Sequence, residues 1–172
     1  MLRFMGALCV LAGAGGFGFM MARGLADRVA NLQRVTIALQ HLESEITFAA
    51  LPLAMALHEA ARAAGGAVGD FLRDVSAEIS RQGGEPLAQV WRRLLLSHQA
   101  EMLLAPDEAA VLAQLGMVLG GSDREDQRKH LVSAQASFIR FYETTAAKAD
   151  KAKRVWQYLG FALGAMAVII LY

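Results

Sequence analysis

The sequence is short of cysteine, of proline and of strand-like patterns, and each shortage excludes a class of protein. Its one cysteine, Cys9, forms no disulfide within the chain and builds no cluster of thiolate metal ligands. No segment shows the alternation of β-branched and aromatic residues with polar ones that is typical of strands. The three prolines each precede an apolar helical pattern, where proline is well tolerated. The sequence therefore predicts an all-α protein.

Acidic residues are absent from both ends of the chain. All sixteen lie between Asp27 and Asp150. Residues 24–147 carry 15 acidic and 11 basic side chains, a net charge of −4. A segment of this charge lacks the basic surface with which proteins bind nucleic acid. We therefore expect no nucleic-acid partner.

Two long uncharged runs occupy the ends instead. They cover residues 4–22 and 155–172, which are 19 and 18 residues long. A helix of 18 residues at about 1.5 Å per residue reaches about 27 Å, close to the thickness of the hydrocarbon layer. A cleaved signal peptide is the alternative for the first run, but the run continues well past its small residues at 12–14. We predict transmembrane helices at 1–23 and 155–172, with one domain at 24–154 between them.

Basic residues next to these runs predict which side of the membrane holds the domain. Arg23, Arg28 and Arg34 follow the first run, and four basic residues at 148–154 precede the second, against Arg3 alone at the other side. Positive residues favour the cytoplasmic side of a membrane. We expect a cytoplasmic domain.

Small residues in both runs predict contact between the two membrane helices. Gly160 and Gly164 form a G-x-x-x-G pair, and Gly16 and Gly18 each follow an alanine at the same spacing in the first run. Such pairs allow close approach of helix backbones. We expect these helices to pack on each other or on copies of themselves.

The middle of the chain has the periodicity of a helical bundle. An apolar seam with alternating spacings of three and four runs along the first helix. Ile37 and Phe48 lie off this seam, which indicates that the helix is covered on a second side as well. The seam consists of Leu32, Val35, Leu39, Leu42, Ile46 and Ala49.

Proline and glycine then mark the boundaries of four further helices. Pro52, Pro86 and Pro106 each open one; the glycine pair at 65–66 ends the helix that Pro52 opens, and the pair at 83–84 ends the helix that follows it. A last helix begins at a predicted capping box of Ser122 and Glu125 and continues into the second membrane helix. The fold class is thus an all-α cytoplasmic bundle of about six helices between two transmembrane helices.

Motifs for catalysis or for cofactors are missing. The glycine-rich segment 65–70 has no lysine to complete a phosphate-binding loop. The four histidines fall on four different predicted helices, without the spacing of metal ligands. Glu43 and Glu45, two residues apart, do not share a helix face and make a poor acid/base pair. We expect no catalytic, cofactor or metal site, and no enzyme.

Two stretches together resemble the stage III sporulation protein AB family. The first reads A-L-Q-H-L-E-S-E-I at residues 38–46 and is followed by L-P-L at 51–53. The second reads L-G-G-S-D at 119–123, with Gln127 four residues later. The arrangement of one membrane helix at each end also matches, so the resemblance covers nearly the whole chain.

The resemblance implies a scaffold of the channel between mother cell and forespore, similar to the inner-membrane platform proteins of type II secretion and type IV pilus systems. It implies a location in the mother-cell membrane and a secretion-type ATPase, stage III sporulation protein AA, as a partner of the cytoplasmic domain. Other channel subunits, and copies of the same chain, are further implied partners. Glu43, Glu45, Asp123 and Gln127 are the candidate partner-binding residues, because packing explains them less readily than it explains the apolar residues around them.

Two other classes of function stay open at this point. A membrane-tethered adaptor would transmit conformational change along its terminal helices and would crosslink to a receptor or kinase. A membrane-bound enzyme would have a cleft in the bundle lined by convergent polar groups with shifted pKa values.

Overall fold

The computed structural model describes most of the backbone and the side chains of the central region. The described backbone covers residues 2–49, 51–81, 84–119, 121 and 123–171. The described side chains are those of residues 23–49, 51–81, 84–119, 121, 123–155 and 158–159. Gly16, Gly18, Gly160 and Gly164, and most side chains of the two predicted membrane helices, lie outside this set.

Six α-helices make up the described chain, in agreement with the all-α prediction, and no strand occurs among the residues described. A single π-helical turn, Glu45–Ala49, follows the first helix. The helices are α1 Leu2–Ser44, α2 Leu53–Ala64, α3 Gly66–Ser80, α4 Leu87–His98, α5 Pro106–Val118 and α6 Arg124–Leu171.

The chain forms two compact units. Residues Met1–Val29 and Thr144–Tyr172 form one unit, and residues Ala30–Glu143 form the other. Within the described residues, no helical stretch is both long enough and apolar enough to cross a membrane.

The unit Ala30–Glu143 holds the bundle core, and the predicted apolar faces supply it. The seam of α1 is buried from Leu32 to Ile46, as the spacing predicts. Leu131, Ala134 and Phe138 of α6 are buried as well. Phe71 of α3 meets Trp91 of α4 edge to face, with ring centres 5.1 Å apart. Such aromatic pairs add to the stabilisation from buried area alone.

Two glycines permit close approach inside this core. A Cβ atom on Gly69 would lie 2.6 Å from the carbonyl oxygen of Ala61, so α2 and α3 pack at a distance that only glycine allows. A Cβ on Gly116 would lie 2.2 Å from Cδ1 of Trp91. The Trp91 indole donates a buried hydrogen bond to the carbonyl of Leu112 at 2.8 Å. The indole is thereby fixed over the bare backbone of α5.

Two details differ from the sequence prediction. Ala49, predicted to continue the seam, is exposed, because the π-helical turn breaks the regular α-helical spacing after Ile46. Phe48, predicted to be covered, is 83% exposed. Glu125 pairs with Arg128 at 3.0 Å, and the predicted capping box is not tested, because Ser122 lies outside the described residues.

A candidate partner-binding surface

Glu43, a predicted partner-binding residue, is half-buried and is bound by a side chain of α6. The side-chain amide of Gln135 donates to its carboxylate at 2.8 Å and to the carbonyl oxygen of Leu39 at 3.1 Å. Gln135 lies four residues after the buried Leu131, at the edge of the apolar face of α6. One amide group therefore ties α6 to two successive turns of α1.

Arg128 lies two turns before Gln135 on the same helix. Its guanidinium donates to Glu125 at 3.0 Å, and this hydrogen bond and the charge of Glu125 raise the pKa of Arg128. The charge of Glu43 raises the pKa of Arg128 slightly further. The same hydrogen bond and the charge of Arg128 lower the pKa of the Glu125 carboxyl.

Asp123 and Gln127, the second predicted pair, form the start of α6. A carboxylate oxygen of Asp123 accepts the backbone N–H of Asp126 at 2.8 Å, and its carbonyl accepts the N–H of Gln127 at 3.0 Å. Asp123 is thus the N-cap of α6, and its negative charge lies at the positive end of the helix dipole. Its carboxylate has a structural role in addition to any role in binding.

Glu45 differs from these three residues. Its side chain is half-buried at the beginning of the π-helical turn, and it makes no ion pair or hydrogen bond with any side chain the structure describes. Its carbonyl oxygen accepts the backbone N–H of Leu51 at 3.2 Å, which closes the turn. Of the four predicted residues, Glu45 is the one whose carboxylate the described bundle does not use.

The structure brings the two sequence stretches together at the junction of α1 and α6. Glu43 from the first stretch accepts a hydrogen bond from Gln135 of α6, the helix that begins directly after the second stretch. Sequence reasoning missed Gln135 and Arg128, although the place of Gln135 beside the apolar face of α6 was a signal for it. This junction, defined by Glu43, Glu45, Asp123, Gln127 and Arg128, is the candidate partner-binding surface.

The chemistry at this surface is suited to protein contact. Its charged groups are carboxylates and a guanidinium, which form ion pairs and charge-assisted hydrogen bonds with protein partners. The described residues contain no group of three or more side chains placed to hold a metal ion. A cavity of about 10 Å³ lies in the core, and its lining is apolar. A cavity of that size is barely large enough for one water molecule, and apolar cavities stay dry.

Comparisons with known proteins agree with one another. The family model described as stage III sporulation protein AB matches residues 3–172. Stage III sporulation protein AB of Bacillus subtilis (strain 168) is 27% identical over 175 residues, which cover 99% of this chain and 99% of that protein. A solved structure of a stage III sporulation protein AB superposes with a TM-score of 0.64 at 26% identity, and the match covers 75% of this chain and 98% of that one.

Proposed function

The chain belongs to the stage III sporulation protein AB family, and from this we propose that it is a membrane scaffold of the channel between mother cell and forespore. In this proposal, the bundle binds a secretion-type ATPase, stage III sporulation protein AA, on the cytoplasmic side. The protein performs no catalysis itself and joins other channel subunits in the mother-cell membrane.

The observation that carries the proposal is the contrast between the ends of the chain and its middle. The ends are uncharged over 19 and 18 residues, whereas residues 24–147 carry a net charge of −4. Runs of this length suit a bilayer. The segments Met1–Val29 and Thr144–Tyr172 share one compact unit, which supports two membrane helices that enter side by side.

The surface chemistry supports a protein partner for the bundle. Charged groups at the edge of an interface mainly raise the rate of association and make binding depend on salt. Glu45 is available for such a contact, since no described side chain pairs with it. Glu43 and Asp123 have roles within the bundle: Glu43 links α1 to α6, and Asp123 caps α6. Their contribution to binding is therefore indirect.

Purification of the tagged full-length protein from sporulating cells tests the proposal. We expect the ATPase and other stage III channel subunits to co-purify with it. A receptor or kinase in their place would indicate an adaptor and would contradict the scaffold.

Protease treatment of sealed cells tests the topology separately. We expect residues 24–147 to be protected from outside, because the positive residues beside both membrane helices favour the cytoplasm. Cleavage of this region in sealed cells would show that the orientation is opposite to the one proposed.

A further inference from the structure

Phe48 is a large aromatic side chain that the fold leaves in water. It is 83% exposed, although Ile46, two residues earlier, is buried in the core. Burial of a phenylalanine side chain is favourable, and folding does not bury this ring, so its burial can stabilise a complex instead. Met55, in the first turn of α2, is also 53% exposed.

The backbone on both sides of Phe48 is fixed. Ile46 is buried, and Leu51 packs against the core while its N–H closes the turn on the carbonyl of Glu45 at 3.2 Å. Pro52 then restricts the chain at the entry to α2. The backbone that carries Phe48 is held on both sides, so binding needs to order the side chain alone and not the segment. π-helical turns are also frequent at functional sites.

The charges around Phe48 restrict the kind of partner. Between Arg34 and Arg62 the chain carries three glutamates and no lysine or arginine. Glu43 is held by Gln135, and Glu59 pairs with Arg62 at 3.1 Å. Of these three glutamates, Glu45, three residues before Phe48, is the one without a partner among the described side chains.

This pattern disfavours two of the possible occupants. An anionic lipid surface attracts lysine and arginine, and this segment has neither. A second copy of the same segment would bring carboxylates against carboxylates, which is unfavourable. A protein surface with an apolar pocket and basic residues at its edge is complementary to both the ring and the charge.

We propose that Phe48 inserts into an apolar pocket of the partner ATPase and that Glu45 pairs with a lysine or arginine at the edge of that pocket. This inference rests on the proposed function, because it takes the ATPase as the partner. Interfaces commonly depend on a few aromatic anchors, surrounded by polar contacts that contribute less.

The test measures binding of purified stage III sporulation protein AA to the full-length protein in lipid nanodiscs. Phe48→Ala should weaken binding 10- to 100-fold without a change in melting temperature, since the ring has little contact with the bundle. Glu45→Lys should weaken binding most at low salt. Leu96→Ala is the matched control, because Leu96 is 60% exposed on α4, and it should bind within twofold of the wild type.

A photo-crosslinking residue at position 48 gives a second readout. It should crosslink to the ATPase, and the same residue at position 96 should not. Crosslinks from position 48 to lipid or to a second copy of the chain would overturn the inference, as would wild-type affinity in Phe48→Ala. If the wild-type protein itself binds no ATPase, the proposed function fails, and that outcome is distinct from a failure of the Phe48 contact alone.

Discussion

Replacement of Glu43 by alanine should destabilise the protein by about 1–2 kcal/mol, because it removes a charge-assisted hydrogen bond from a partly buried site. The Glu43 carboxylate accepts from Gln135 at 2.8 Å, across 92 positions of sequence. Gln135→Ala should cost a similar amount, since it loses this bond and the bond to the Leu39 carbonyl. For a chain of this size, about 1 kcal/mol corresponds to a change of about 2–4 °C in melting temperature.

Urea unfolding of the full-length protein in detergent, followed by circular dichroism, measures these effects. The double variant should be less destabilised than the sum of the single variants by about 1 kcal/mol, as expected for residues in direct contact. Glu45→Ala is the control and should change the unfolding free energy by less than about 0.5 kcal/mol. If Glu43→Ala were as stable as Glu45→Ala, or if the single effects simply added, the contact between Glu43 and Gln135 would not stabilise the fold.

The remaining predictions concern the core, the start of α6 and the membrane helices. Gly116→Ala should destabilise the protein by about 1–3 kcal/mol through overpacking, and it should shift the fluorescence of Trp91 to longer wavelength. Unchanged stability and emission would contradict the close packing of Trp91 on Gly116. Glu125 has a lowered pKa, so its contribution to folding stability is present above the unfolded value of 4.5 and is lost as the pH falls through its folded pKa. Glu125→Gln should therefore make acid unfolding less steep below about pH 4.5. An acid-unfolding curve identical to that of the wild type would count against the ion pair. Replacement of Gly160 and Gly164 by isoleucine should weaken crosslinking between the membrane helices, and an unchanged crosslinking pattern would argue against their close packing.

Local patterns predicted the helices well because their boundaries depend on local chemistry. Pro52 and Pro106 lie at helix starts, and the glycine pair at 65–66 separates α2 from α3. The buried face of α1 follows from the spacing of its apolar residues alone. These features require only neighbours within one or two turns, so sequence is sufficient for them.

Contacts between distant parts of the chain could not be predicted in this way. Met102, in the connection between α4 and α5, is fully buried, and its carbonyl accepts from the Asn31 side chain at 3.0 Å across 71 positions. No periodic pattern marks either residue. Phe48 was misassigned for a related reason: its hydrophobicity suggested a covering neighbour, but periodicity does not show whether the fold supplies one.

The candidate surface was predicted in part. The sequence identified Glu43, Glu45, Asp123 and Gln127, and the structure shows that Glu43 and Asp123 have partners within the bundle. The sequence interpretation selected these residues because packing did not explain their charges. It could not detect the partner of Glu43, because Gln135 lies 92 positions away in the sequence. Binding of a partner by any of these residues stays a prediction.

The most direct test of the scaffold proposal is an equilibrium titration of purified stage III sporulation protein AA against the full-length protein in lipid nanodiscs at low and high salt. The proposal predicts saturable binding that weakens as salt is added, since the bundle contributes a net charge of −4 over residues 24–147. Absence of binding at low salt, with the helical content of both proteins intact, would contradict it.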